Sequence, residues 1–133
     1  MPTQTASEYG EIRAVNLSFA DAVSKTEAAL QSEGFGILCR IDIQAKMKEK
    51  LGIDFPRYMI LGACNPPLAR QALEQDFNLG LLMPCNAVVY ERGGKVHVGV
   101  VNVEAMLSFM RRPELAAFAK EVNSKLRRAL ASV

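Results

Sequence analysis

The stretch Asn86-Ala87-Val88-Val89-Tyr90-Glu91-Arg92-Gly93-Gly94-Lys95-Val96-His97-Val98-Gly99-Val100 decides the fold. Apolar residues alternate on both sides of a Gly-Gly pair, and a two-residue turn needs positive φ angles at its centre, which glycine adopts freely. With Gly93 and Gly94 in the turn, Val89 lies opposite Val98 on one side of the hairpin and Tyr90 opposite His97 on the other. Such an antiparallel pair tips an alternating strand-helix chain away from a doubly wound parallel sheet. The expectation is a two-layer α+β sandwich, a mainly antiparallel sheet with helices on one face. Its other face is left open, a natural place for a dimer partner or a ligand.

Upstream of the hairpin, residues 12–17 read as a short strand, and Ser18 with Asp21 marks a helix start. Phe19, Ala22, Val23, Thr26, Ala29 and Leu30 then recur at helical spacing, and Gly34 ends the run. From Phe35 to Ile43 apolar residues alternate, which predicts a strand with Ile37, Cys39 and Ile41 on its buried face. Residues 43–51 predict an amphipathic helix burying Met47 and Leu51. After a strand at 58–64, Asn65 is a good N-cap and Pro66 fits the first helical position, so a helix is expected to about Gln75. Residues 79–90 contain the next strand. Beyond the hairpin, Asn102 caps a helix through Met110, and Pro113 opens a final helix burying Leu115, Phe118, Ala119, Val122, Leu126 and Leu130.

The chain has 133 residues, enough for one domain to bury a core without metal or disulfide staples. Its 16 basic and 14 acidic residues nearly balance, which argues against a dedicated nucleic-acid binder. The polar start Met1-Pro2-Thr3-Gln4-Thr5 lacks the basic and apolar segments of a signal peptide, and no run suits a membrane span. Three widely spaced cysteines, Cys39, Cys64 and Cys85, fit reduced thiols better than a disulfide framework. A cytoplasmic protein is expected.

No phosphate-binding loop, nucleophile elbow or metal-binding helix motif occurs, and a single His is poor material for a metal site. Neither a metal nor a cofactor is implied. What remains is Gly62-Ala63-Cys64-Asn65-Pro66-Pro67 and Met83-Pro84-Cys85-Asn86, each placing a thiol beside an asparagine at an element boundary. Cys64 precedes an N-cap, where helix amides favour a thiolate, so it is either a nucleophile or a small core residue with Asn65 merely capping. Cys85 has the same two readings, and Cys39 reads as core. His97, facing Tyr90, could carry a proton or touch a ligand. Arg111-Arg112 and Arg127-Arg128 read as solvated helix ends, Met106 and Met110 as core filler.

Gly34-Phe35-Gly36-Ile37, Ile60-Leu61-Gly62-Ala63-Cys64-Asn65-Pro66-Pro67-Leu68-Ala69 and Gly80-Leu81-Leu82-Met83-Pro84-Cys85-Asn86, in that order, resemble the bacterial and archaeal domain of unknown function 302 family over about residues 12–110. The resemblance implies a topology similar to that of the TATA-binding protein, common assembly as a dimer, and no established activity. The resemblance implies Asp-Pro in many relatives where this chain has Asn102-Val103, which leaves any role tied to that carboxylate open here, and residues 111–133 read as a helical extension.

Two functions follow. The first is a homodimeric small-ligand-binding or interaction domain with Cys64, Asn65, Cys85 and Asn86 lining a pocket at the sheet end, Pro66, Pro84, Tyr90 and His97 nearby, and no turnover. The alternative is a thiol-dependent redox or sulfur-transfer protein with Cys64 as nucleophile and Cys85 as resolving partner.

Overall fold

The computed structural model describes residues 4–6 and 8–133 and has the α+β architecture that the hairpin predicts. Among the described residues, six antiparallel strands form one sheet in the order β1-β2-β6-β5-β4-β3. They are β1 (Gln4–Ala6), β2 (Gly10–Val15), β3 (Gly36–Asp42), β4 (Tyr58–Cys64), β5 (Cys85–Arg92) and β6 (Lys95–Val101). The helices are α1 (Phe19–Ser32), α2 (Ile43–Leu51), α3 (Pro66–Gln75), α4 (Val103–Leu107) and α5 (Ala116–Ala131).

The hairpin pairs in the register its sequence dictates, with Val89 opposite Val98 and Tyr90 opposite His97. Gly93 and Gly94 take φ of 61° and 74° at the turn, which side-chain-bearing residues rarely adopt. Period-two alternation then sends Leu61 and Ala63, Ala87 and Val89, and Val98 and Val100 to one face, all buried. Helices α1 and α5 cover this face. Helix α1 starts where Ser18 accepts a hydrogen bond from the Asp21 amide, and it buries Ala22, Thr26, Ala29 and Leu30.

Helix α5 buries Ala119, Val122, Leu126, Ala129 and Leu130 at helical spacing. Its last turn is tied down from the sheet, because the Arg13 guanidinium donates to the carbonyls of Leu130 and Ala131 at 3.0 Å each. A cation there also meets the negative end of the helix dipole. Asn123 is buried in the same helix. Its Oδ1 accepts from the Val103 amide at 2.6 Å, and its Nδ2 donates to Asn102 Oδ1 and Glu104 Oε1. Asn102 in turn caps α4 through the Ala105 amide.

Four expectations are corrected. Cys39 is exposed, not core, because the pairing of β3 with β4 steps from Ile37–Ala63 to Cys39–Gly62. Leu38 is the extra residue of a bulge, and that insertion puts Ile37 and Cys39 on opposite faces. Helix α2 buries no residue, and Leu51 is 66% exposed, since α2 meets mainly β4 near the β3 edge of the sheet. Leu79 belongs to a 3-10 helix, Phe77–Leu82, that precedes β5 and starts at the Asp76 cap. The expected strand at 12–17 is shifted to β2, and β1 pairs with it where the sequence offered only a polar stretch.

Candidate functional site

The two Cys-Asn motifs meet at one end of the sheet, where β4 ends and β5 begins. Asn65 caps α3 as predicted: its Oδ1 accepts from the Leu68 amide and its Nδ2 donates to the Glu33 carbonyl. Pro66 follows as the first helical residue and is solvent-exposed. Ala63 pairs with Cys85, so Cys64 stands one register step from Cys85 across the two strands. Beneath them lies a cavity of about 40 Å³. Cys64, Asn65, Pro84 and Cys85 line it together with Met83 and Met106, and the remaining lining side chains are apolar. Burial, and then the proximity of Cys64, pushes the Cys85 thiol up to about 11.

That shift is the reverse of what a reactive thiol needs, and it falls on Cys85, the expected resolving partner. Among the described residues no histidine or carboxylate lines the cavity, so none there takes a thiol proton. The thiol-dependent alternative therefore gains no support from the structure. Among the described residues, no group of three or more His, Cys, Asp or Glu side chains is placed to hold a metal ion.

Asn86, Tyr90 and His97 do not join this cavity. Asn86 follows Cys85 in β5, and successive strand residues point to opposite faces. These three lie on the open face of the sheet. There Tyr58, Tyr90 and His97 come into line because Tyr58 pairs with Tyr90 and Tyr90 with His97. Their rings stack, Tyr58 on Tyr90 at 5.3 Å and 11°, Tyr90 on His97 at 5.0 Å and 16°. Such parallel rings standing on neighbouring strands stabilise the sheet. His97 Nδ1 is buried without a hydrogen-bond partner among the described residues.

Tyr58 and Tyr90 form one side of a trough of about 670 Å³ across the open face. Ile12, Val88 and Gly99 lie at its floor, in register across β2, β6 and β5. Tyr9, Phe55 and Pro56 rise around it, and Asn86, Glu91 and Arg92 add polar groups. The volume is in the range of small-molecule pockets, about 300–1,000 Å³. Burial, with Tyr90 and Tyr9 nearby, raises the Tyr58 phenol above its ordinary value.

The sequence-predicted set thus divides: Cys64, Asn65, Pro84 and Cys85 at the cavity, Asn86, Tyr90 and His97 on the open face, and Pro66 at neither. Tyr9, Phe55 and Tyr58 were missed. The signal for Tyr58 was its register with Tyr90, which requires knowing that β4 and β5 are neighbours.

The family model for the domain of unknown function DUF302 matches residues 12–133, so α5 falls inside the matched region rather than beyond it. The crystal structure of an uncharacterised conserved DUF302 protein from Bacillus stearothermophilus is similar, with 28% identity and a TM-score of 0.89 over 95% of this chain and 98% of that one. No curated protein matches. Among the described residues, no helix is long and apolar enough to cross a membrane.

Proposed function

The chain belongs to the DUF302 family, of unknown function, and from that premise we propose that it is a homodimeric small-ligand-binding domain that recognises its ligand on the open face of the sheet without turning it over. The observation that carries this reading is the aromatic trough. A concave, mainly apolar surface with a few polar groups is the usual form of a ligand site. Here Tyr58 and Tyr90 offer rigid ring surface, Asn86 offers an amide with both donor and acceptor, and Glu91 and Arg92 nearly cancel in charge. The chemistry favours a planar, uncharged aromatic or conjugated molecule.

Exposed apolar side chains support self-association: Phe77 is 86% exposed, Leu81 88% and Phe109 69%. Phe77 and Leu81 lie in one 3-10 helix, and exposed apolar groups mark a contact surface where they adjoin.

The trough supplies its own reporter. The chain has no tryptophan and three tyrosines, and all three, Tyr9, Tyr58 and Tyr90, line the trough. Titration with a panel of uncharged planar aromatics, read by tyrosine emission, is expected to give saturable quenching that Tyr90→Ala weakens at least tenfold. Sedimentation equilibrium is expected to give twice the monomer mass. Absence of any saturable quenching rejects ligand binding at the trough, and a monomer at every concentration rejects the dimer.

A further inference from the structure

We infer that the trough takes a long, flat, uncharged ligand with a hydrogen-bonding group at each end, one held by the Asn86 amide and the other by the hydroxyls of Tyr58 and Tyr90. This inference rests on the trough reading and adds to it the ligand's length and the placing of its polar groups.

The polar side chains stand apart along β5. Asn86, Val88 and Tyr90 share the open face because they are two residues apart, so Asn86 and Tyr90 are separated by about 13 Å along the strand. Tyr58 joins the second end, since it is the register partner of Tyr90 and their rings stack. Between the ends the floor offers no polar side chain. It is made of Val88, Gly99 and Ile12, neighbours across three strands. A Cβ at Gly99 would meet Ile12 Cγ1 at 3.0 Å and Val88 Cγ2 at 3.3 Å, so those two side chains close over the glycine and level the floor. Polar ends with an apolar middle complement a molecule built the same way.

Both ends are uncommitted within the protein. Asparagine is depleted in strands, and Asn65, Asn102 and Asn123 each use their side chains in caps or the core. Asn86 instead is exposed, and its amide has no protein partner among the described residues. Its register partner on β4 is Gly62, which has no side chain to bond it. At the other end neither the Tyr58 nor the Tyr90 hydroxyl bonds another protein group among the described residues. Burial raises the Tyr58 phenol, so at neutral pH it keeps its proton and donates. A ligand reaching both ends gains a hydrogen bond at each, worth roughly three- to tenfold in affinity.

The full chain is titrated with trans-stilbene, its singly para-hydroxylated form and the form hydroxylated para on both rings, read by tyrosine emission. Affinity is expected to rise roughly three- to tenfold with each hydroxyl. Hydroquinone, whose two hydroxyls are too close together to reach both ends, is expected to gain little over phenol. Asn86→Leu is expected to abolish the preference for two hydroxyls over one and to keep that for one over none. Tyr58→Phe with Tyr90→Phe, which keeps both rings and leaves Tyr9 as reporter, is expected to do the same. All three changes together are expected to make the stilbenes bind alike. The series on the native chain needs no variant, so a variant that fails to fold does not spare the inference. Equal binding of the three stilbenes to the native chain, or an unchanged series in Asn86→Leu, overturns the inference and leaves ligand binding at the trough standing. Absence of saturable quenching by every probe overturns both.

Discussion

Replacing Asn123 by leucine tests the polar core of the domain. The side chain is 3% exposed and makes three hydrogen bonds, one of them to the buried amide of Val103 at the start of α4. Leucine has nearly the same shape and supplies none of them. The Val103 amide is then left unpaired among apolar neighbours, at a cost of about 1–3 kcal/mol. The other two losses are smaller. Asn102 Oδ1 keeps the Ala105 amide, and the Glu104 carboxylate is exposed and turns to water, so together they cost about 1 kcal/mol. The sum is about 3 kcal/mol, which for a chain of this size lowers the melting temperature by roughly 10 °C. Urea unfolding followed by circular dichroism measures it, with an unchanged m-value showing that the same surface is exposed. A loss below about 1 kcal/mol refutes the reasoning, because it means that the Val103 amide finds another partner. Asn123→Asp keeps the acceptor but turns oxygen toward Asn102 Oδ1 and Glu104, so its defect is expected to shrink as pH falls and the new carboxyl takes up a proton.

Other consequences are as direct. A Cβ added at Gly62 meets Cys39 Sγ at 2.6 Å and Pro84 Cγ at 3.1 Å, so Gly62→Ala is expected to cost about 1–3 kcal/mol, and Cys39→Ala in the same chain to recover part of it in a double-mutant cycle. The Cys85 thiol has its folded-state pKa raised to about 11 from an ordinary 9.0, so its contribution to stability is fully present below pH 9.0 and is lost as pH rises toward 11. Across that window the native chain is expected to lose about 2–3 kcal/mol more than Cys85→Ala in denaturant titrations, and matching pH profiles contradict it. In the folded chain a bulky thiol reagent is expected to reach exposed Cys39 first and buried Cys85 last, as peptide mapping resolves; faster labelling of Cys85 refutes the assigned burial. Arg13→Ala removes both contacts to the last turn of α5, so amide exchange there is expected to speed up about fivefold, corresponding to a loss of about 1 kcal/mol.

The sequence made the hairpin legible to the residue, because Gly-Gly fixes the turn and the turn fixes which side chains face each other. The capped helices were equally readable: Ser18, Asn65 and Asn102 each sit where a side-chain oxygen takes up a free amide. The misreadings have a common origin in edge position. Alternation in β3 predicts a buried face, yet a strand with one neighbour and a bulge at Leu38 buries almost nothing, and neither neighbour count nor bulge is encoded in local pattern. The same holds for α2, whose apolar stripe exists but has little to pack on. At the site, Cys64 and Cys85 were found by composition and motif, whereas the stack Tyr58–Tyr90–His97 joins three strands, and only its hairpin half is local in sequence.

The alternation of β5 makes the cavity and the trough back-to-back rooms sharing one wall a single strand thick. Cys85 belongs to one room and Asn86 to the other, and no residue lies between them in sequence. A one-residue slip of β5 against its neighbours would put an amide among thioethers and a thiol among tyrosines, spoiling both inventories at once. For the two compartments, sequence drift in β5 is therefore constrained jointly: insertions and deletions there are forbidden for two independent reasons, while substitutions at Cys85 and at Asn86 remain separable.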